Sequence, residues 1–268
     1  MSATASIALN VFRESIRDKV LYNLVLFAIL LIGASYLIGQ LSAGQDVKII
    51  KDLGLSATSI FGLFMAVFIG IGLVSKEVER RSVYSLLSKP IGRSQMIAGK
   101  FAGLALTLVV NVAIMTAALY AVLAYIGWGV PPDVERAWEA PALDPALLEA
   151  IALILVELLV VTAMALFFST FSTPMLSAAC TAGLVVAGHF GADLRNFDQV
   201  VTSEAAVRLA RGLYWVLPNL AQFDVKAQVV HGQPVPAGYL AMAALYGGLY
   251  IAGLLLGAAA IFSRRDFK

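Results

Sequence analysis

Apolar residues gather in six long runs along this chain, 20–40, 53–75, 96–126, 147–169, 174–191 and 239–262, with most of the charge in the stretches between them. About 20 apolar residues suffice for an α-helix to cross a hydrocarbon core of about 30 Å. The pattern predicts an all-α integral membrane protein, one domain over 1–268, with six transmembrane helices. Ahead of the first run, Ile7, Leu9, Val11, Phe12 and Ile16 make the better apolar face, with Arg13, Arg17 and Lys19 opposite or flanking it. Residues 1–19 therefore predict a helix lying in the interface. Ile7, Val11, Ser15 and Asp18 do not read as one continuous face. The first run starts only after several charges and is longer than a signal-peptide core, so it is expected to stay on the chain as a span. Ser42–Asp52 reads as a short polar loop.

Inside the runs, a few residues bear on chemistry. Phe61, Phe64, Met65 and Phe68 fall at i, i+3, i+4 and i+7 of the second run, one helical stripe. Such a stripe can line a path for an apolar substrate; it can equally pack against helices or lipid, and the sequence favours packing. Asn111 lies near the middle of the third run, which ends in Gly127-Trp128-Gly129-Val130-Pro131-Pro132, a turn with an interfacial aromatic. Asp133, Glu135, Glu139 and Asp144 make the next loop acidic. Glu157 lies deep in the fourth run, where an ionisable group marks a cavity or a polar partner. The readings open to it are a neutral or hydrogen-bonded carboxyl facing the bundle, a proton relay or a substrate contact.

Thr173-Pro174 predicts a tight turn with a threonine cap and proline at the first helical position, so the fourth and fifth helices run antiparallel. Ala179, Gly183, Ala187 and Gly191 follow at four-residue spacing. A row of small residues lets two helices approach closely in lipid, so this face is expected to be buried within the subunit or at a dimer seam. Ala244, Gly248 and Ala252 make a similar row in the sixth run. His189 and Asp193, with Arg195 close by, suit a hydrogen-bonded cluster better than a metal site, for which two ligands are too few. Between 196 and 237, Ala205–Val216 has helical character and Pro218 stops it, which predicts short helices at the outer interface.

The segment 76–95 is the most densely charged between two apolar runs. Val83, Leu86, Leu87 and Pro90 share a helical face, Pro90 and Gly92 end that helix near Ser88, and Ser94 is placed to cap the next. The string Lys76-Glu77-x-Glu79-Arg80-Arg81-Ser82-x-Tyr84-x-Leu86-Leu87-Ser88-Lys89-Pro90-Ile91-x-Arg93-Ser94-Gln95, closed by Gly99-Lys100-Phe101, resembles the first cytoplasmic loop of the permease subunits of type-2 ABC exporters, in particular six-helix bacterial permeases grouped with the nitrous-oxide-reductase maturation transporter. The resemblance implies that 76–95 carries a coupling helix docking on a separate ATPase. Glu77, Glu79, Arg80, Arg81, Val83, Leu86, Leu87, Pro90 and Arg93 would make that contact. It further implies an elbow helix over 1–19, a homodimer whose pathway is bounded by the second and fifth helices, export across the cell inner membrane, and room for an accessory protein on the outer side.

Composition agrees with a membrane protein: 60% of the 268 residues are hydrophobic and 13% charged, against roughly 25% charged in soluble domains. The formal charge of +2 is small and unevenly placed, and points to no nucleic-acid partner. Cys180 stands alone and can form no intramolecular disulfide. With the N-terminus in the cytoplasm, 12 of the 19 Lys and Arg fall inside, so both termini are expected to be cytoplasmic.

No nucleotide site is visible. Ser94-x-x-x-x-Gly99-Lys100-Phe101 has serine where a phosphate loop begins with glycine and phenylalanine where Mg²⁺ needs Ser or Thr. HExxH and GxSxG are absent, which excludes the common hydrolase arrangements. The chain thus reads as a transport subunit, not an enzyme, with no cofactor of its own, and ATP and Mg²⁺ held by the partner ATPase. Two alternatives stay open: an ion-coupled secondary transporter using Glu157, and a membrane scaffold that transports nothing.

Overall fold

The computed structural model describes residues 3–41, 46–79, 92–135, 138, 140–190, 207, 212 and 217–264. Among these, the regular elements are helices: α1 (Ala3–Ser15), α2 (Lys19–Gln40), α3 (Asp46–Glu79), α4 (Arg93–Gly129), α5 (Ala146–Ser169), α6 (Pro174–His189) and α7 (Ala237–Arg264), with short turns of helix at Pro132–Glu135, Ala221–Phe223 and Lys226–Val230. Five are long and apolar enough to cross a membrane, and α6 is a shorter apolar helix. The protein is an all-α, multi-pass membrane protein.

α5 is the centre of the bundle. It is apolar all round and carries buried residues on every side, as a helix surrounded by other helices must. α3 packs along it at two glycines. A Cβ at Gly62 would sit 2.5 Å from the Leu158 side chain, and one at Gly70 would sit 2.5 Å from Ala165 Cβ. Gly54, two turns earlier on α3, meets Leu119 of α4 in the same way. Where lipid gives helices no hydrophobic reason to associate, this closeness supplies dispersion contact. Four buried threonine hydroxyls are satisfied inside their own helices: Thr58, Thr107, Thr162 and Thr181 each donate to the carbonyl four residues back, so their burial leaves no orphan donor.

α1 lies across α4. Val11 and Ser15 are buried, and a Cβ at Gly103 would fall 2.5 Å from the Ala8 carbonyl oxygen and 2.7 Å from Val11. A Cβ at Gly99 would fall 2.9 Å from Ile7. Ile7 and Val11 thus pack against the α4 glycines and Ser15 is buried with them, while Asp18 lies beyond α1 as the cap of α2, so the four do not make one face of a single helix. Ile16, assigned to the apolar face, is 36% exposed.

Two boundaries differ from expectation. α3 begins at Asp46, not near 53, so Lys48, Lys51 and Asp52 are helical. Asp46 in the first turn suits the positive end of the helix dipole. α4 begins at Arg93 behind Gly92, whose N–H donates to Gln95 Oε1 at 3.3 Å, so the side-chain acceptor belongs to Gln95 and not to Ser94. The turn between α5 and α6 follows the sequence: Thr173 Oγ1 accepts from the Leu176 N–H, and Pro174 opens the helix.

α6 has 16 residues, about 24 Å, too short to complete a crossing of about 30 Å. Beyond its end the chain at 217–230 returns into the bundle. Leu220 N donates to the Gly188 carbonyl at 3.0 Å, and Leu220, Phe223, Val225 and Val229 are buried. Irregular backbone at this depth is tolerated because protein, not lipid, surrounds it. At the end of the bundle that carries the chain termini, Ile97 of α4, Leu166 of α5 and Ala258 and Phe262 of α7 form a separate small core.

Candidate functional site

Glu157 sits midway along α5 and is 4% exposed. Its Oε1 lies 3.2 Å from His189 Nε2. The other ring nitrogen, Nδ1, is 2.9 Å from the Val185 carbonyl. A carbonyl only accepts, so Nδ1 carries a proton and donates it. A proton on Nε2 or on the carboxyl would complete a hydrogen bond between the two, which offsets the cost of burying the Glu157 carboxyl. His189 is the last residue of α6, and the pair fastens that helix end to the middle of α5.

The returning segment covers the same region. Asn219 N donates to Tyr246 Oη at 2.9 Å, and Tyr239 Oη donates to the Gln222 carbonyl at 2.6 Å, which ties the segment to α7. A Cβ at Gly188, next to His189, would sit 2.7 Å from the Pro218 carbonyl oxygen. Asn219 Oδ1 and Gln222 Nε2 are buried and make no hydrogen bond among the described residues. Glu157 and His189 thus meet between α5 and α6, and the buried polar side chains of Asn219 and Gln222 belong to the returning chain that bonds to the end of α6 and to α7.

The four residues of the aromatic stripe separate. Met65 is wholly buried in the core, Phe64 and Phe68 are 48% and 56% exposed, and Phe61 is half-buried between them. Residues at i, i+3, i+4 and i+7 spread over about 100° of the helix surface, and the border of the core runs through that arc. Ile60 joins Phe64 and Phe68 on the uncovered side. On α6, Ala179 and Gly183 are exposed and Ala187 half-buried, while Ser177, Thr181, Val185 and Gly188 face inward. The small-residue row is therefore not buried within the subunit, as far as the described residues reach; Gly191 lies outside them. On α7 the row Ala244, Gly248 and Ala252 is likewise exposed, and the neighbouring Ala243 and Gly247 face the core, with a Cβ at Gly247 falling 2.5 Å from Val156. α3 and α6 are in contact with each other.

Arg80, Arg81, Val83, Leu86, Leu87 and Pro90 lie outside the described residues, as do the side chains of Glu77, Glu79 and Arg93. Asp193, Arg195 and most of the outer segment before 217 lie outside them as well. Among the described residues, no group of three or more His, Cys, Asp or Glu is placed to hold a metal ion.

Two buried lysines among the described residues escaped the sequence, Lys100 at 3% exposed and Lys51. Lys51 is 1% exposed; its Nζ donates to the Pro141 carbonyl at 2.8 Å and lies 3.9 Å from Asp144 Oδ2. Asp144 in turn accepts from Tyr120 Oη through its carbonyl and from the Ala146 N–H through Oδ1, both at 2.9 Å. The ends of α3, α4 and α5 are joined there. The acidic residue at the first turn of α3 was the available sign that Lys51 belongs to a helix.

A family model described as "ABC-2 family transporter protein" matches residues 5–267, nearly the whole chain. No curated protein matches it.

Proposed function

The chain belongs to the ABC-2 transporter family, and we propose that within it the protein is an export permease working as a homodimer with a separate ATPase subunit. The observation that carries the dimer is the pair of uncovered faces on the touching helices α3 and α6: Ile60, Phe64 and Phe68 on one, Ala179 and Gly183 on the other. No atom approaches within 4 Å of a Cβ placed at Gly183. An aromatic face beside a small-residue face is self-complementary, because a two-fold axis brings each against a copy of the other. The space between would be the apolar part of the substrate path. ATP-driven closure of the ATPases would act on the 76–95 loop and reach α3 and α4, which flank it, and α1, which rests on α4. Both termini and that loop would face the cytoplasm from the cell inner membrane.

The test is crosslinking in native membranes, with Cys180→Ser as background. A Phe68→Cys copy co-expressed with a differently tagged Gly183→Cys copy should give a crosslinked dimer carrying both tags with a short bis-maleimide. Monomer bands alone, under conditions that crosslink a known dimer, would sink the seam.

A gradient-driven carrier is favoured by the buried Glu157 carboxyl and its contact with His189 alone. It requires transport by the isolated chain in liposomes under a proton gradient, lost in Glu157→Gln. The permease reading assigns the pair a fastening role and requires no such transport.

A further inference from the structure

At the end of the bundle away from the chain termini, α2 and α4 finish side by side, and between them lies a cavity of about 350 Å³ lined by Tyr36, Gln40, Tyr125, Ile126, Trp128, Gly129 and Val130. Tyr36 and Tyr125 meet edge to face, with ring centroids 5.6 Å apart. Tyr125 is 66% exposed and Trp128 93%, so ring surface is open to the cavity's mouth. Aromatic side chains at a membrane interface are ordinary; the electrostatics of this group are not. Both helices point their carbonyl ends here, and a helix C-terminus carries a partial negative charge. Neither has a basic residue in its last turn to offset it. The cavity thus joins three aromatic side chains, whose ring faces are negative by their quadrupoles, to two helix ends of the same sign, with Gln40 as a neutral polar residue of its lining.

We propose that this cavity is a binding site for the alkylammonium head group of a zwitterionic phospholipid in the leaflet facing away from the chain termini. An ammonium group carries the sign that the rings and the helix ends both favour. Trp128, standing out from the helix, is at the depth where head groups lie and where a lipid would reach the cavity with its tails still in the bilayer. A phosphatidylglycerol head, with no cation, gains none of these contacts.

The test titrates purified full-length protein in detergent with short-chain phosphatidylcholine or phosphatidylglycerol of identical tails and reads bound lipid by native mass spectrometry. The choline lipid should be retained about fivefold better, the scale of a partly exposed cation–π contact. Trp128→Ala and Tyr125→Ala together should remove the preference. Trp128→Phe should keep most of it, which separates a ring requirement from damage to the fold. Tetramethylammonium chloride should displace the choline lipid where sodium chloride at equal strength does not. Equal retention of the two lipids, a preference that survives the double alanine variant, or equal displacement by both salts would overturn the proposal.

Discussion

Glu157 and His189 meet at 3.2 Å across the α5–α6 hairpin, and this contact lies where α6 stops and the segment from 217 packs against its end. Helix end, buried carboxyl and returning segment are therefore one structural unit. Leu220 N on the Gly188 carbonyl closes it from above.

Removing His189 should leave the buried Glu157 carboxyl without its hydrogen bond, whereas His189 itself is 39% exposed. His189→Ala is expected to lower stability by about 1–3 kcal/mol, and Glu157→Gln by less, since an amide still offers a hydrogen-bonding group to the ring. Thermal unfolding in detergent checks this, and the double variant should cost clearly less than the sum of the two singles. Strict additivity would show that the two side chains do not interact.

Glycines on two faces should respond differently to bulk. Gly70→Leu drives a side chain into Ala165 and the Thr162 carbonyl, an overpacking that costs about 1–3 kcal/mol. Gly183→Leu enters open space in the single chain; it should leave unfolding of the monomer within about 0.5 kcal/mol of the parent while reducing recovery of the dimer. Size-exclusion chromatography with light scattering, alongside thermal unfolding, reads both.

The α1–α4 crossing offers a third test. Gly103→Val places branched carbons where the Ala8 carbonyl and Val11 already stand, so α1 must lift away from α4. Residues 3–15 should become accessible to protease in the variant, while the parent resists. Identical digestion would show that α1 does not rest on α4 in the membrane.

The order of helices was legible because apolar runs of this length admit little else, and the α5–α6 turn because Thr173-Pro174 is a start signal in its own right. The Glu157–His189 pair was legible in principle: Thr173 is sixteen residues from each, so an antiparallel hairpin turning there brings them level. Lys51 was not, because its partners lie about ninety residues further along and its own neighbourhood is polar enough to read as a loop. Which small-residue row faces inward was also hidden. Adjacent rows differ by about 100°, and on α7 it is Gly247, against Val156, and not Gly248 that meets the core. The loop at 76–95 carried the family resemblance, and the family match extends it to nearly the whole chain; the finer grouping with nitrous-oxide-reductase maturation permeases rests on that loop alone.

The central claim is that this chain is the membrane half of an ATP-driven transporter. The direct measurement is affinity purification of the tagged protein from native membranes in mild detergent, followed by mass spectrometry and an ATP-hydrolysis assay, on the parent and on a variant with Leu86→Asp and Leu87→Asp. A stoichiometric ATPase subunit with the parent, lost from a variant that still inserts in the membrane, is the predicted result. Recovery of the chain alone without ATP hydrolysis, or an ATPase retained equally by the variant, would contradict it.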